Sequence, residues 1–451
     1  MFSPFNQNEA NFYCKELISQ IENKNIVLKQ VTSLSKEREN NGLMIGSLVC
    51  KEKNSNKKKV LFCVSGISRQ IEIKKSFFNF DYEIVPPIVS NEKINSALQK
   101  NDKEIHILTE KINAGEKELI SQRTKLTDES LKNVFSLYNF TRFDGKSISL
   151  NQIIKNHNEK LPPTGTGDCC APKLLSYAFS KNLQPLSMDE VFYGKNTKNK
   201  ENLKSYPPCD ERCGFILPSI LGLEIIYADD DIVVVNKPSG LLSVPGRTED
   251  KKDCVVSRIK NLFPNCIEQP SVHRLDMETS GLMVLALKKE SHANLNKQFE
   301  NHTVYKEYIA LLDGVLKKAD GELSPKNNES EGQIELKFRL DVENRPHQIY
   351  DETNGKLGIT KWKLLNIENY TNPLTKKTKP ATRILFMPLT GRTHQLRLVS
   401  SDIHGFHLPI IGDTLYGKCE NGERLMLHCR FLSFTHPSTN KKMEFVLEPK
   451  F

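Results

Sequence analysis

Apolar and polar positions alternate with three different rhythms along this chain, and each rhythm predicts a different element. Near the start, "GLMIGSLVC" and "KKVLFCVSGI" are short apolar runs that read as two strands. The polar linker "KEKNSNKK" joins them like a hairpin, and "IVPPIV" ends the piece at a Pro-Pro break. Residues 1–90 are thus expected to form a small mixed or β-rich module. From Asn91 the period lengthens. Leu98, Ile105, Ile112, Leu119 and Leu126 recur every seven residues among Lys, Glu and Gln, the seam of a coiled-coil-like helix. This predicts a helical arm or hairpin over 91–140, bent near Gly115. The seam either packs within its own module or joins two copies of the chain.

Residues 141–223 lose the rhythm. "LPPTGTGDCCAPKLL" and the Lys/Asn-rich "GKNTKNKENLKSYPPCDERCG" read as an irregular connector. Strand signals return with "LEIIYADDDIVVVNKPSGLLSVPGR" and continue to the end, which sets a further domain at 224–451.

A length of 451 residues suits two or three domains. Hydrophobic content of 38% and a mean hydropathy of −0.47 indicate a soluble globular chain, and no window approaches the roughly 20 apolar residues of a membrane span. The N-terminus "MFSPFNQNEANFYCKE" lacks a basic start followed by an apolar core, so no secretion signal is expected. The net charge of +9 and pI near 8.8 suit an anionic partner such as RNA.

Eleven cysteines, an odd number scattered through a Lys-rich chain, point to reduced thiols and a cytoplasmic location rather than a disulfide framework. Cys169 and Cys170 are adjacent, and Cys209 and Cys213 follow as C-x3-C. Two local pairs invite a zinc reading. Against it, neighbouring residues point their side chains apart and the spacing matches no standard finger. Packing cysteines are the alternative.

The stretch "SVHRLDMETSGLMVLALKKE" places Arg274 and Asp276 at the mouth of an apolar strand. An aspartate there, held ionised by an arginine, can serve as nucleophile or base in a sheltered cleft. A surface Arg–Asp pair is the plain alternative.

The segments "VNKPSGLLSVPGR", "VHRLDMETSGLMVLAL", "YKEYIALLDG", "NRPHQ", "LTGRTHQLRLV" and "HLPIIGDTLYG" follow one another in order. From about Glu224 to Phe451 the chain resembles the RluA-type pseudouridine synthases, which isomerise uridine within structured RNA. The wording of "SGLLSVPGR" and of the "HRLDM" and "TSG" pieces is most similar to the short enzymes acting on a tRNA anticodon stem-loop and a 23S rRNA loop. The resemblance implies an α+β fold, with a long mixed, mainly antiparallel sheet around an RNA-binding cleft. It also implies a reaction without metal or cofactor.

Carried over residue by residue, Asp276 matches the family's essential aspartate, Tyr308 its active-site tyrosine and Arg397 the basic residue paired with the aspartate. Arg274 matches the arginine that keeps the target nucleotide flipped out. Arg392 rivals Arg397 as the basic partner. His273 and His394 are read as structural or RNA-facing, because the family chemistry needs no histidine. His273 and Thr279 join Arg274 and Arg392 as expected RNA contacts. The stretch "LVSSDIHGFHLPIIGD" is longer than the family's usual link.

Moving the glycosidic bond from N1 to C5 requires the base to leave the stack, which costs a few kcal/mol and least in a loop. Asp276 acts ionised, either by covalent attack or as a base at C2′, and Tyr308 stacks on the uracil and assists proton removal from C5. The rival reading is a non-catalytic RNA-binding or RNA-folding protein on the same fold, possible partners being tRNA, 23S rRNA and a second copy of the chain through the helical arm.

Overall fold

The computed structural model describes the chain except residues 1–3, 32–41, 53–56, 76–77, 158, 249–250, 264, 319–320 and 323–329. The chain divides into two compact units. One is Met1–Asp229 with Lys260–Pro264, and the other is Asp230–Ile259 with Asn265–Phe451.

The first unit is built on a four-stranded sheet, ordered Tyr82–Ile84, Lys58–Val64, Leu43–Glu52 and Leu183–Tyr193. Leu43–Glu52 and Lys58–Val64 are the predicted antiparallel pair. Part of their linker, 53–56, lies outside the described residues. Both of these strands are apolar on both faces because both faces are covered. Leu43, Ile45, Val60 and Phe62 meet Cys14, Leu17 and Ile18 of the helix Asn8–Glu22. On the opposite face, a Cβ at Gly46 would lie 2.5 Å from Cys170 Cβ, so the helix Cys170–Ser180 packs directly on the strand.

One expectation needs correction and another is sharpened. The module over 1–90 is mixed, the other form open to it: Ala10, Cys14, Leu17 and Ile18 form the buried stripe of a 15-residue helix. The segment 141–223 is not an irregular connector. It supplies three helices, Leu150–Asn156, Cys170–Ser180 and Cys213–Leu221, and the eleven-residue strand Leu183–Tyr193. That strand carries Pro185 and two buried acids, Asp189 and Glu190, which disguise it. Pro185 is tolerated because the strand is an edge and its register shifts between Val49 and Cys50, where Cys50 opposes Pro185.

The heptad segment forms two helices, Asn91–Asn113 and Ile120–Phe135. They turn at Gly115, whose φ of +116° suits only glycine. Leu98, Ile105, Ile112, Leu119 and Leu126 are all half-buried. No described helix is long and apolar enough to cross a membrane.

The second unit is mainly one mixed sheet. Its order is Gln348–Tyr350, Glu331–Leu340, Lys356–Thr371, Thr378–Pro388, Tyr305–Asp313, Leu427–Thr435, Ser280–Ala286 and Ile232–Lys237, with Lys442–Val446 also paired to Leu427–Thr435. Antiparallel pairs dominate. Ser280 and Gly281 pair in parallel with His428 and Cys429. Gly281 has a φ of +117°, and a Cβ there would lie 2.4 Å from the Cys429 carbonyl oxygen. The glycine of "TSG" is what lets these two central strands meet.

Candidate active site

Asp276 ends a loop that runs straight into the fully buried strand Ser280–Ala286. The Thr279 N–H donates to the Asp276 carbonyl and closes the turn. The segment after Ile232–Lys237 clamps this loop through its backbone. The Lys237 Nζ donates to the carbonyls of Met277, Pro238 and Leu241 at 2.8, 2.9 and 2.6 Å. Ser239 Oγ donates to the Glu278 carbonyl and Ser243 Oγ to that of Leu275. Burial pushes the Lys237 ammonium down to about 7, against the charge of Asp276, which raises it. The three carbonyl acceptors also favour its charged form. The motif "NKPSGLLS" was visible in the sequence, but no role follows from it until the loop is seen folded over it.

The Asp276 carboxylate, 19% exposed, borders a cleft of about 410 Å³ and a neighbouring one of about 340 Å³. Both fall in the size range of small-molecule sites, about 300–1,000 Å³. Its oxygens lie 3.9 Å from His394 Nε2 and 4.0 Å from an Arg397 nitrogen. These contacts are too long for hydrogen bonds, so the carboxylate is held electrostatically while its lone pairs stay available.

Arg397 comes from the short buried helix Gln395–Ser401. Its fork does not close on Asp276. It is bidentate to Asp413 at 2.8 and 2.6 Å and also reaches Glu278 at 2.9 Å. Asp413 is fully buried and accepts the N–H groups of Leu415 and Tyr416 as well. Burial works to lower the Arg397 pKa, but Asp413, Asp276 and Glu278 together raise it. Arg397 lies in ion-pair range of Asp276 at 4.0 Å while its fork is shared with two other carboxylates. The arginine is anchored by Asp413 and presents its charge to Asp276.

Tyr308 reaches the same cleft from the strand Tyr305–Asp313. The register against Leu427–Thr435 shifts between Glu307 and Tyr308, a bulge of the kind that re-aims a side chain. Burial raises the Tyr308 phenol well above its ordinary pKa, with the nearby Cys429 thiol and Asp276 adding to the effect. The phenol stays protonated at neutral pH.

Arg274 is exposed, lines both clefts and has no hydrogen-bond or ion-pair partner among the described residues. Arg392 is exposed at the rim, with its Nε 3.3 Å from the Leu357 carbonyl. It is not in the Asp276 cluster. His273 is tied into the scaffold: its Nε2 accepts the Val284 N–H at 3.0 Å, and its ring stacks on Phe299. Burial lowers its pKa to about 3. His394 is also lowered by burial, and its Nδ1 lies 2.9 Å from the Tyr416 hydroxyl. Thr279 is buried at the cleft wall and serves the turn. Lys306 is a cleft cation that the sequence reading missed. It lies beneath Phe299, 5.8 Å from the ring centroid, and one residue before the bulge.

A carboxylate beside the Arg397 charge and a neutral His394, a protonated tyrosine, and an arginine without a partner among the described residues line one cleft. The model of the RNA pseudouridylate synthase family matches residues 231–402. The chain is 40% identical over 228 residues to the dual-specificity RNA pseudouridine synthase RluA of Escherichia coli (strain K12), covering 49% of this chain and 91% of that enzyme. The namesake from Yersinia pestis is 38% identical over 232 residues, 50% of this chain and 99% of the relative. The solved human RNA pseudouridylate synthase domain containing 1 aligns with 51% of this chain and 84% of its own, at 27% identity and a TM-score of 0.39. The chain belongs to the RluA-type RNA pseudouridine synthases.

Proposed function

We propose that this isomerase acts on a uridine in a structured RNA loop, with Asp276 as its catalytic carboxylate. The reaction breaks the N1–C1′ bond, turns the uracil and forms a C5–C1′ bond. The C5 proton leaves and N1 of the original linkage ends protonated, so no co-reactant enters. The carrying observation is the placement of Asp276 3.9 Å from the His394 ring and 4.0 Å from the Arg397 cation, in a cleft that also holds Tyr308. Either route open to the carboxylate, attack or proton abstraction at C2′, needs it ionised and unblocked. The protonated Tyr308 stacks on the flipped uracil and assists at C5. The unpartnered Arg274 fills the vacated stack, for which a flat guanidinium is suited. Arg392 and Lys306 meet backbone phosphates.

The substrates we infer are tRNA, a 23S rRNA loop, or both. The "SGLLSVPGR" and "HRLDM" wording supports this, as does the dual specificity named for the relatives. The location we infer is the cytoplasm. Within the helical hairpin the seam residues are already half-buried, which supports a monomer. A dimer in sedimentation would assign the arm to self-association.

The test is Asp276→Asn. Pseudouridine formation on tRNA and rRNA fragments should vanish while RNA binding stays nearly intact. Turnover within tenfold of the parent would remove Asp276 from the chemistry.

A further inference from the structure

Outside the active site, the first unit holds a group of residues that the isomerase reaction does not use. The thiols of Cys169, Cys209 and Cys213 lie within 4.8 Å of one another. The sulfurs of Cys169 and Cys209 are 4.0 Å apart. A tetrahedral zinc ion with Zn–S bonds of about 2.3 Å holds its sulfurs roughly 3.8 Å apart, whereas a disulfide requires about 2.05 Å. The spacing is that of ligands around an ion.

We propose that Cys169, Cys209 and Cys213 bind a structural zinc ion that ties the starts of the helices Cys170–Ser180 and Cys213–Leu221 together. Cys169 is the residue that caps the first helix and Cys213 is the first residue of the second. Cys209 sits one turn before it, and its carbonyl accepts the Gly214 N–H of the second helix. The ion takes three thiolates, and the thiol protons leave to solvent.

The objection raised by adjacent cysteines is met by geometry. Cys170 turns the other way, into the core, and its thiol donates to the Met44 carbonyl. Only its neighbour Cys169 faces the group. The other buried thiols of this unit contrast with the trio: Cys14 is engaged by Ser47 and carbonyl oxygens, and Cys63 by the Cys170 carbonyl.

Glu190 lies buried on the strand Leu183–Tyr193 of the same unit, with one oxygen accepting the Ala171 N–H at the start of the helix Cys170–Ser180. Cys209 is exposed, so the fourth position is open to water. Soft thiolates in a tetrahedral arrangement select zinc over the hard divalent ions.

The test is metal analysis of the full-length protein, purified without chelators, together with cobalt loading. About one zinc per chain is expected. Cys209→Ser and Cys213→Ser should lose it, whereas Cys419→Ser, in the second unit, should retain it. Cobalt added to the unaltered protein should give the intense visible bands of a tetrahedral thiolate site, a readout that does not depend on the variants folding. The proposal is overturned if the parent protein holds no zinc and takes up none when zinc chloride is added. It is equally overturned if iron occupies the site, or if folded Cys209→Ser and Cys213→Ser bind zinc as the parent does.

Discussion

Replacing Arg397 with alanine should damage the fold and the chemistry through different neighbours, and the structure allows the two to be separated. The side chain is 3% exposed and its fork lies on Asp413, which is 0% exposed. Without the fork, the Asp413 carboxylate keeps only the N–H groups of Leu415 and Tyr416. Breaking a buried pair on one side costs about 3–5 kcal/mol. In a domain of this size each kcal/mol moves the thermal midpoint by about 2–4 °C, so a drop of roughly 6–20 °C is expected. Asp276 feels the same charge from 4.0 Å without a hydrogen bond, so it loses electrostatic support but no direct donor. The assay is thermal unfolding by circular dichroism, alongside single-turnover pseudouridine formation on bound RNA. The double variant Arg397→Met with Asp413→Leu separates the effects. Replacing both charges by apolar groups is often neutral for stability, so the midpoint should return towards that of the parent while activity stays low. Arg392→Ala, at the exposed rim, should change stability by less than about 0.5 kcal/mol and act mainly on the salt dependence of RNA binding. An Arg397→Ala protein melting with the parent would refute the buried fork. A double variant as active as the parent would show that Arg397 does nothing for Asp276.

Three further outcomes are expected. Lys237→Met should leave the carbonyls of Met277, Pro238 and Leu241 without their shared donor, at roughly 1–3 kcal/mol for each buried acceptor left unpaired. It should lower kcat more than KM, and unchanged urea denaturation would contradict the clamp. His273 is held below its ordinary 6.5, at about 3, because burial disfavours its charge and its Nε2 must accept the Val284 N–H. Below pH 6.5 the unfolded chain binds a proton the folded one does not. Its contribution is therefore complete above that pH and is lost as pH falls towards 3. His273→Asn should flatten the fall in unfolding free energy over that window, and a slope identical to the parent's would refute it. Finally, a fragment beginning at Asp230 should still modify a short stem-loop, but more weakly and with less salt sensitivity than the whole chain. The cut is placed there because an earlier one, near residue 215, would pass through the helix Cys213–Leu221. A folded fragment inactive on both hairpin and tRNA would show that the first unit completes the active site.

Much of this was written locally in the chain. The apolar run "GLMIGSLVC" and the heptads from Leu98 to Leu126 report on residues close in sequence, which local sterics and hydrophobic periodicity suffice to read, and the ordered motifs around "HRLD" carry the family resemblance. Asp276, Tyr308 and Arg397 were named through that resemblance, motif by motif. Their surroundings were not. Leu183–Tyr193 forms a strand because Leu43–Glu52, far earlier in the chain, offers it backbone partners, and its own pattern with Pro185 and two acids argues otherwise. The partner of Arg397 is Asp413, in a turn that no periodicity marks, and the loop bearing Asp276 is held by a lysine forty residues upstream. Cys169 meets Cys209 and Cys213, while its neighbour Cys170 does not. Charged and sulfur groups act through space over a few ångströms, irrespective of the chain between them. Which of them share a site is therefore decided only when the apolar surfaces have packed and the backbone between them has been folded away.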